Sequence, residues 1–450
     1  MNVKKSTCWK LWLAFAMGLE LLTGCIPKWT QWSPDGRMAT ILTDTGLYLC
    51  DSNGVLSGPV VTNVVAVAWF PDSTRLAVVR AYKYASWTEL AQTMPQARRE
   101  RVESEADKVL SALKAGASED EAASGIIAAD ADAIALRLKD LPGAHEALGT
   151  NWEKVANVDG PWQQFLHVAR LEGGKLSFGP RLGGELDGID EMRVSPDGKS
   201  VAYVMDTTVP ETGLELKVAA VDDSRPAQLV DSSVAQFFDW APDSQSLVYI
   251  KAVGIVTNKD ELRLASLTRR GVRWQGGAWR IDDNAEDLAA TIFNDQAKAR
   301  CLPDGRILFS GLDLRLPASA AEMPKRQELF AYAPELGGTV IPVISPRNLE
   351  KVPEDTSFFE VDPSGRRVSL VVPGLVVVLD LATGELEKAP KPATDDNLFL
   401  PVWRGPDELC YKIADGSSNT QAALWRVGTD STRIISQTWP PEVRKGVLSK

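Results

Sequence analysis

Histidine is nearly missing from this chain of 450 residues, with only His145 and His167 present. A histidine-rich metal centre is thereby excluded, and a Ser/His/Asp triad has little to draw on. Neither G-x-S-x-G nor H-E-x-x-H occurs, so two common hydrolase signatures are absent. Cysteine is also scarce, at five. Cys8 and Cys25 lie in the N-terminal segment, which leaves Cys50, Cys301 and Cys410, too few and too odd a number for a disulfide framework. One bridge stays open, between Cys50 and Cys410, while Cys301 reads as core filling. Basic charge is in deficit, with 49 Lys and Arg against 60 Asp and Glu and a net charge of −11. It becomes −13 once the three lysines and one glutamate of residues 1–24 are removed. Such a surface does not suit nucleic acid or direct adhesion to anionic headgroups.

What the chain does have is one turn, written seven times. It reads Trp32-Ser33-Pro34-Asp35-Gly36, Trp69-Phe70-Pro71-Asp72-Ser73, Val194-Ser195-Pro196-Asp197-Gly198 and Trp240-Ala241-Pro242-Asp243-Ser244. It continues as Cys301-Leu302-Pro303-Asp304-Gly305, Val361-Asp362-Pro363-Ser364-Gly365 and the looser Trp403-Arg404-Gly405-Pro406-Asp407. Proline presets φ, Asp or Ser bonds nearby backbone, and Gly takes positive φ at low cost. An apolar, β-prone run follows each copy, as in Met38 to Leu42, Val201 to Met205 and Val368 to Val372. A second apolar strand ending in a polar turn follows that, as in Leu47 to Cys50 and Leu375 to Leu379. Repetition at this period predicts four short antiparallel strands per unit, and seven units fit a ring.

The pattern W-S-P-D-G-K/R-x-x-A resembles the TolB-type, WD-like propeller repeat, most closely at Trp32 to Ala39 and Ser195 to Ala202. The resemblance covers nearly everything after residue 25. It implies an all-β chain, a seven-bladed β-propeller of four-stranded antiparallel blades over residues 25–450. The TolB family itself carries an α/β domain before a six-bladed ring, whereas here the first repeat begins within seven residues of Cys25.

Residues 1–24 read as a lipoprotein signal peptide. Lys4, Lys5 and Lys10 precede a short apolar run from Leu11 to Leu22, interrupted by Glu20 and too short for a comfortable membrane span. Leu22-Thr23-Gly24-Cys25 resembles the bacterial lipobox, which implies a mature N-terminus at Cys25 carrying lipid. Several acyl chains hold such a protein to a bilayer. Ile26 after the cysteine implies the outer membrane, facing the periplasm, in a double-membraned host. The plainer reading is an ordinary cleaved signal with an incidental cysteine.

The turn prolines stand 37 to 61 residues apart, except for the 125 residues from Pro71 to Pro196. The excess, 89–141, is rich in Ala, Glu, Asp, Arg and Leu. Thr93 and Pro95 mark a helix start, and Val102, Ala106, Val109 and Leu113 recur at helical spacing up to Gly116. Ser118 with Glu121 predicts a second helix, with Ile127, Ala131, Ile134 and Leu138 as its stripe. The expectation is a helical hairpin that packs on itself, on the propeller wall or on a partner.

Candidate chemistry is sparse. The turn residues Pro34, Asp35, Gly36, Pro71, Asp72, Pro196, Asp197, Gly198, Pro242, Asp243, Pro303, Asp304, Gly305, Pro363, Gly365, Pro406 and Asp407 read as structural. Gly198-Lys199-Ser200 imitates the end of a P-loop, but Arg193 stands where the earlier glycine belongs. Asp222-Asp223, Asp282-Asp283 and Asp395-Asp396 lack calcium-loop spacing. Trp274 and Trp279 fall in a Gly-rich loop and either grip a sugar or peptide or pack at a strand edge. No cofactor and no metal site is expected. The preferred expectation is a lipid-anchored envelope protein, a non-enzymatic scaffold for envelope proteins or cell-wall polymer. The alternatives are a propeller enzyme acting on carbohydrate or peptide at the channel mouth and a TolB-like envelope-integrity component.

Overall fold

Each copy of the turn closes a hairpin between two short antiparallel strands. The computed structural model describes residues 30–436 apart from 44, 117–142, 144–145, 147–161, 187–188, 207–213, 223–224, 254–262, 294–296, 312–327, 353–358, 373, 393–396 and 415–419. Cys25, the lipobox and the second expected helix lie outside the described residues. The first sheet contains β1 (Thr30–Trp32), β2 (Met38–Thr43) and β3 (Gly46–Asp51). The second contains β4 (Val64–Trp69), β5 (Arg75–Lys83), β6 (Trp162–Glu172) and β7 (Lys175–Leu186). Next come β8 (Ile189–Val194), β9 (Ser200–Asp206), β10 (Leu214–Ala220) and β11 (Gln228–Val234). These continue into β12 (Asp239–Trp240), β13 (Ser246–Ala252), β14 (Arg263–Gln275), β15 (Ala278–Ile281) and β16 (Glu286–Phe293), as one nine-stranded sheet. Three four-stranded sheets follow. They are β17 (Ala299–Cys301), β18 (Ile307–Gly311), β19 (Glu328–Ala333) and β20 (Thr339–Pro342); β21 (Phe359–Val361), β22 (Arg367–Val372), β23 (Leu375–Asp380) and β24 (Leu386–Lys388); and β25 (Asn397–Trp403), β26 (Glu408–Ala414), β27 (Thr420–Arg426) and β28 (Thr432–Ser436). The fold is all-β and propeller-like.

Two sheets depart from the expected four strands. The first has three, and its outer edge holds only the bridges Leu47↔Val61 and Cys50↔Leu56. Gly54, Gly58 and Pro59 interrupt that edge, and proline has no N–H for a ladder. The nine-stranded sheet is two runs joined by the single pair Val234↔Lys251. Buried Asp231 reinforces the join, accepting from the Tyr249 hydroxyl and the Lys251 ammonium at 2.6 Å each.

Five turns share one bonding pattern. Ser33 N–H donates to Met38 O and Gly36 N–H to Ser33 O, and the same pair recurs from Phe70, Ser195, Ala241 and Asp362, whereas Leu302 N–H reaches Arg306 O, one residue sooner, and Arg404 and Gly405 N–H both donate to Glu408 O. The last turn residue lies at positive φ, 68° at Gly36 and 58° at Ser73 and Ser244. The two serines have a use: their hydroxyls accept the Asp35 and Asp197 N–H of neighbouring turns, at 3.1 and 3.0 Å. The aspartates cap their own turns. Asp72 accepts from Thr74 N–H, Thr74 Oγ1 and Arg75, and Asp304 from Arg306. Burial pushes the Asp72 and Asp304 carboxyls up, and these bonds more than offset it, so both sit below the ordinary carboxylate value.

Asp72→Ala is therefore expected to lower stability by about 1 kcal/mol at neutral pH. A carboxyl held low in the folded state contributes stability above its unfolded pKa and loses it as pH falls through the folded value. The deficit of the variant should shrink below about pH 4. Denaturation midpoints taken from pH 7 to pH 3 check this, and a deficit that persists unchanged at pH 3 would contradict it.

Sheets pack face to face through apolar clusters. The second sheet meets β8–β10 through Phe70, Val79, Leu166, Val201 and Tyr203. β13 and β14 meet β17–β19 through Val248, Leu267, Ile307 and Phe309. The last sheet packs on the first, where Trp32, Ile41 and Cys50 share a cluster with Cys410, Leu424 and Ile435. Backbone approach there is close: a Cβ on Gly36 would stand 2.7 Å from Arg404 O, and one on Gly54 would run into Ile435 O. Glycine is required at both.

Tryptophan in the motif does more than fill space. Trp69, Trp240 and Trp403 donate their indole N–H to Gln31 O, Arg193 O and Glu360 O at 3.1, 3.3 and 3.0 Å. Each acceptor precedes the equivalent motif position of the preceding unit, so one indole staples two sheets. Trp32 Nε1 has no such partner, and the Arg404 guanidinium lies over its ring at 5.2 Å while donating to Gly36 O.

The interruption after the second turn runs between the end of β5 and the start of β6, wider than 89–141. It holds α1 (Trp87–Gln92) and α2 (Gln96–Lys114). The expected start near Thr93 and Pro95 matches α2. α1 is an additional turn and a half of helix, capped by Ser86, whose hydroxyl accepts Glu89 N–H. Leu90 and Met94 bury against Tyr84, Trp87 and Val102.

Candidate functional site

Side chains on the first strands of the units converge. Gln31 and Trp32 on β1, Trp69 on β4, Glu191 and Arg193 on β8, Glu360 on β21 and Trp403 on β25 border one cavity of about 260 Å³. Pro34 and Pro363 of the turns lie at its wall. Three indole rings and Met192, Val194, Val361 and Val402 line it beside the polar Gln31, Glu191, Arg193 and Glu360. Concave walls that combine aromatic faces with placed polar groups are what small ligand sites are built from.

The polar groups belong to a buried ion cluster. Glu191 stands 3.3 Å from Arg193 Nε and 3.6 Å from Arg300 Nη2. Arg193 Nη1 donates to Asp239 at 3.3 Å, and Lys298 Nζ pairs with Glu360 at 2.5 Å. Asp239 also accepts Cys301 N–H at 3.1 Å, and Arg300 Nη1 donates to Phe238 O and Ala299 O. Three acids face three bases, so charge is balanced in a partly buried region where water screens it less than at the surface. Burial alone pulls the Arg193 guanidinium down, and Asp239, Glu191 and Glu360 together hold it above its ordinary value. Arg300 is held below its own, by burial and by the nearby Arg193 cation. Lys298 is 4 % exposed along its side chain and lies 5.2 Å from both the Phe237 and Phe359 rings.

None of these six charged residues stood out in the sequence. Their signal is positional: Arg193, Asp239, Arg300 and Glu360 each sit immediately before the apolar residue that opens a turn motif. A charge beside the conserved-looking apolar slot of a short strand marks the inward edge of the sheet, because the neighbouring residues alternate faces.

The expected site residues fall elsewhere or have structural partners. The turn aspartates Asp35, Asp72, Asp197, Asp243 and Asp304 bond their own backbone two residues on. Asp407 pairs with Arg367 of the preceding sheet. His145 lies outside the described residues. His167, buried on β6, shares a hydrogen bond with the Tyr82 hydroxyl at 2.9 Å and another with Gly179 O at 3.2 Å. Cys50 and Cys410 are not joined in a disulfide, and burial pushes the Cys50 thiol up to about 12. Cys301 packs at the edge of an apolar cluster, and burial raises its thiol well above the usual value.

Trp274 and Trp279 are on strands, contrary to the expected loop. They face each other across the β14–β15 hairpin with ring centroids 5.1 Å apart. Gly276 and Gly277, at φ 61° and 75°, make a two-residue turn that matches strand twist. Arg225 lies over Trp274, and Trp279 packs against the core between β11 and β13, so strand-edge packing occupies both rings.

No family model matches the chain, and no curated protein matches it. Among solved structures, a prolyl endopeptidase is similar at 14% identity and a TM-score of 0.46, over 96% of this chain and 55% of that one. A puromycin hydrolase is similar at 14% and 0.43, over 63% and 45%. The hydrazine synthase of Kuenenia stuttgartiensis is similar at 14% and 0.41, over 79% and 76%. The chain spans about half the length of the first two of these proteins. Likeness this distant carries nothing about activity.

Proposed function

We propose that the chain is a seven-bladed propeller of the bacterial envelope, tethered by lipid on Cys25, that binds protein or cell-wall partners without chemically changing them. Seven turn hairpins, and the packing of the last sheet on the first, support a closed ring. The Leu22-Thr23-Gly24-Cys25 sequence supports the tether and a place at the outer membrane, facing the periplasm, in a double-membraned host. The observation that carries the binding reading is the cavity itself, walled by Trp32, Trp69 and Trp403 and lined by charges that already neutralise one another. Groups paired in this way orient a polar ligand. They are poorly placed to take or give a proton, which needs a group poised near the working pH.

An enzyme acting on carbohydrate or peptide is the second reading, favoured by two carboxylates, Glu191 and Glu360, on one cavity wall. A TolB-like envelope role rests on the repeat resemblance alone. Pull-down from detergent-solubilised envelope separates the readings. The full chain should recover a specific protein or glycan, and Trp403→Ala should lose it. Recovery of nothing specific, together with cleavage of a glycan or peptide library by the purified chain, would transfer the assignment to the enzyme. Mass spectrometry of the mature protein should find an acylated Cys25, and an unmodified N-terminus would remove the tether from the proposal.

A further inference from the structure

A second polar cluster, separate from the cavity, sits on the second sheet. β5, β6 and β7 run well past the ordinary strand length here, at 9, 11 and 12 residues. Val78, on the face of β5 that also carries Arg80 and Tyr82, belongs to the apolar core shared with the first sheet. Arg80 lies over the Tyr82 ring at 5.3 Å and over Phe178 at 4.7 Å. Arg181, from β7, lies over the same Tyr82 ring at 4.9 Å and over Phe165 at 3.8 Å. Two guanidiniums thus share one tyrosine.

Neither has a carboxylate of the described residues within ion-pair distance, and Arg80 Nε is buried with no hydrogen-bond partner. Ring faces compensate such cations in part. They do not occupy the donors, which lie in the guanidinium plane and remain available at its edge. Stacking also fixes the orientation of each fork, which lowers the entropy lost when an acceptor is bound. A half-buried and an exposed cation over one ring, with no carboxylate of the described residues beside either, raise the local potential until an anion arrives.

We propose that Arg80 and Arg181, ordered on Tyr82, form a binding site for an oxyanion, a carboxylate or phosphate group carried by a small ligand. Arg181 is exposed and admits the ligand, while Arg80 holds its buried side. His167 lies beside the site, its ring 6.0 Å from that of Tyr82. Burial, together with the two guanidiniums, holds its imidazole below the ordinary histidine value, while the Gly179 carbonyl opposes them. It is a neutral reporter of the charge beside it. The site stands independently of the proposed partner binding, because it uses none of the cavity residues.

The test is a titration of the full chain with inorganic phosphate and, separately, with acetate, each against chloride at equal ionic strength. The melting temperature should rise by a few degrees at saturating phosphate or acetate and not in chloride. Affinity for the active anion should fall at least tenfold in Arg80→Gln and in Arg181→Gln. Response to phosphate alone assigns a phosphate group, and response to both assigns any oxyanion, carboxylate included. The His167 imidazole should titrate at higher pH with the anion bound, since a bound negative charge offsets the two cations. With only two histidines, His145→Gln assigns its NMR signal. In anion-free buffer, Arg181→Gln should melt no lower than the parent, because repulsion is relieved. Equal shifts in all three salts, or anion effects that survive in the double variant, would overturn the site. So would a drop in melting temperature for Arg181→Gln with no anion response, which would make the pair a structural stack.

Discussion

Lys298→Met is expected to lower the free energy of unfolding by about 3 kcal/mol at pH 7. The ammonium is almost wholly enclosed, between the Phe237 and Phe359 rings and against Glu360. Removing it takes from the Glu360 carboxylate, 20 % exposed, the cation it pairs with directly. Breaking a buried pair costs more than the pair contributed, because the surviving charge stays desolvated. Two further results give the explanation its content. Lys298→Met/Glu360→Met should recover most of the loss, since two well-packed apolar chains can replace a buried pair. The deficit of the single variant should also shrink on acidification. An unpaired buried carboxyl has a raised folded pKa, so protonation relieves the strain as pH falls through that value. Urea midpoints at pH 7 and pH 5 for the three proteins measure all of this. A double variant no better than the single one would show that the ammonium acts through packing alone.

Trp69→Ala is expected to cost about 3–5 kcal/mol. The ring is 8 % exposed, fills the core between the first and second sheets, and borders the cavity. Its indole N–H also holds Gln31 O of the first sheet. Trp69→Phe separates the two contributions. It keeps most of the volume and loses the staple, and should cost nearer 1–2 kcal/mol, including the carbonyl left unpaired. If Phe proved as damaging as Ala, the indole bond rather than the packing would dominate. Cavity ligands should bind more weakly in both variants, because this wall is part of the binding surface.

How much of this was legible beforehand depended on whether a feature is local. The first six turns were legible. Pro34-Asp35-Gly36 and the next five copies specify φ, side-chain capping and positive φ within five residues, whereas the last, Gly405-Pro406-Asp407, has no positive φ and bonds differently. The strands after the turns followed from β-prone runs such as Val201 to Met205 and Leu375 to Leu379. α2 was legible from Val102 and Ala106 at helical spacing. α1 was not, because six residues hold too little periodicity to register. Trp274 and Trp279 were misplaced because Gly276-Gly277 was read as a loop, although two glycines between paired residues are also a hairpin signal. The short outer edge of the first sheet was written in Gly54, Gly58 and Pro59, but only the partner strand shows which ladder they interrupt.

Sequence alone determined the repeating unit, its hairpin and its count of seven turns, because each is set by dihedral preferences and capping bonds between near neighbours. It also set the acidic balance. Tertiary structure alone decided what the inward edges hold. Glu191, Arg193, Asp239, Lys298, Arg300 and Glu360 come from four separated stretches, and each is unremarkable in its own strand. They become a balanced cluster only when successive sheets bring their first strands together. The same holds for Arg80 and Arg181, a hundred residues apart in the chain and joined over one tyrosine. Coulomb energy depends on distance in space and on the water excluded between charges, and neither quantity is written along the chain.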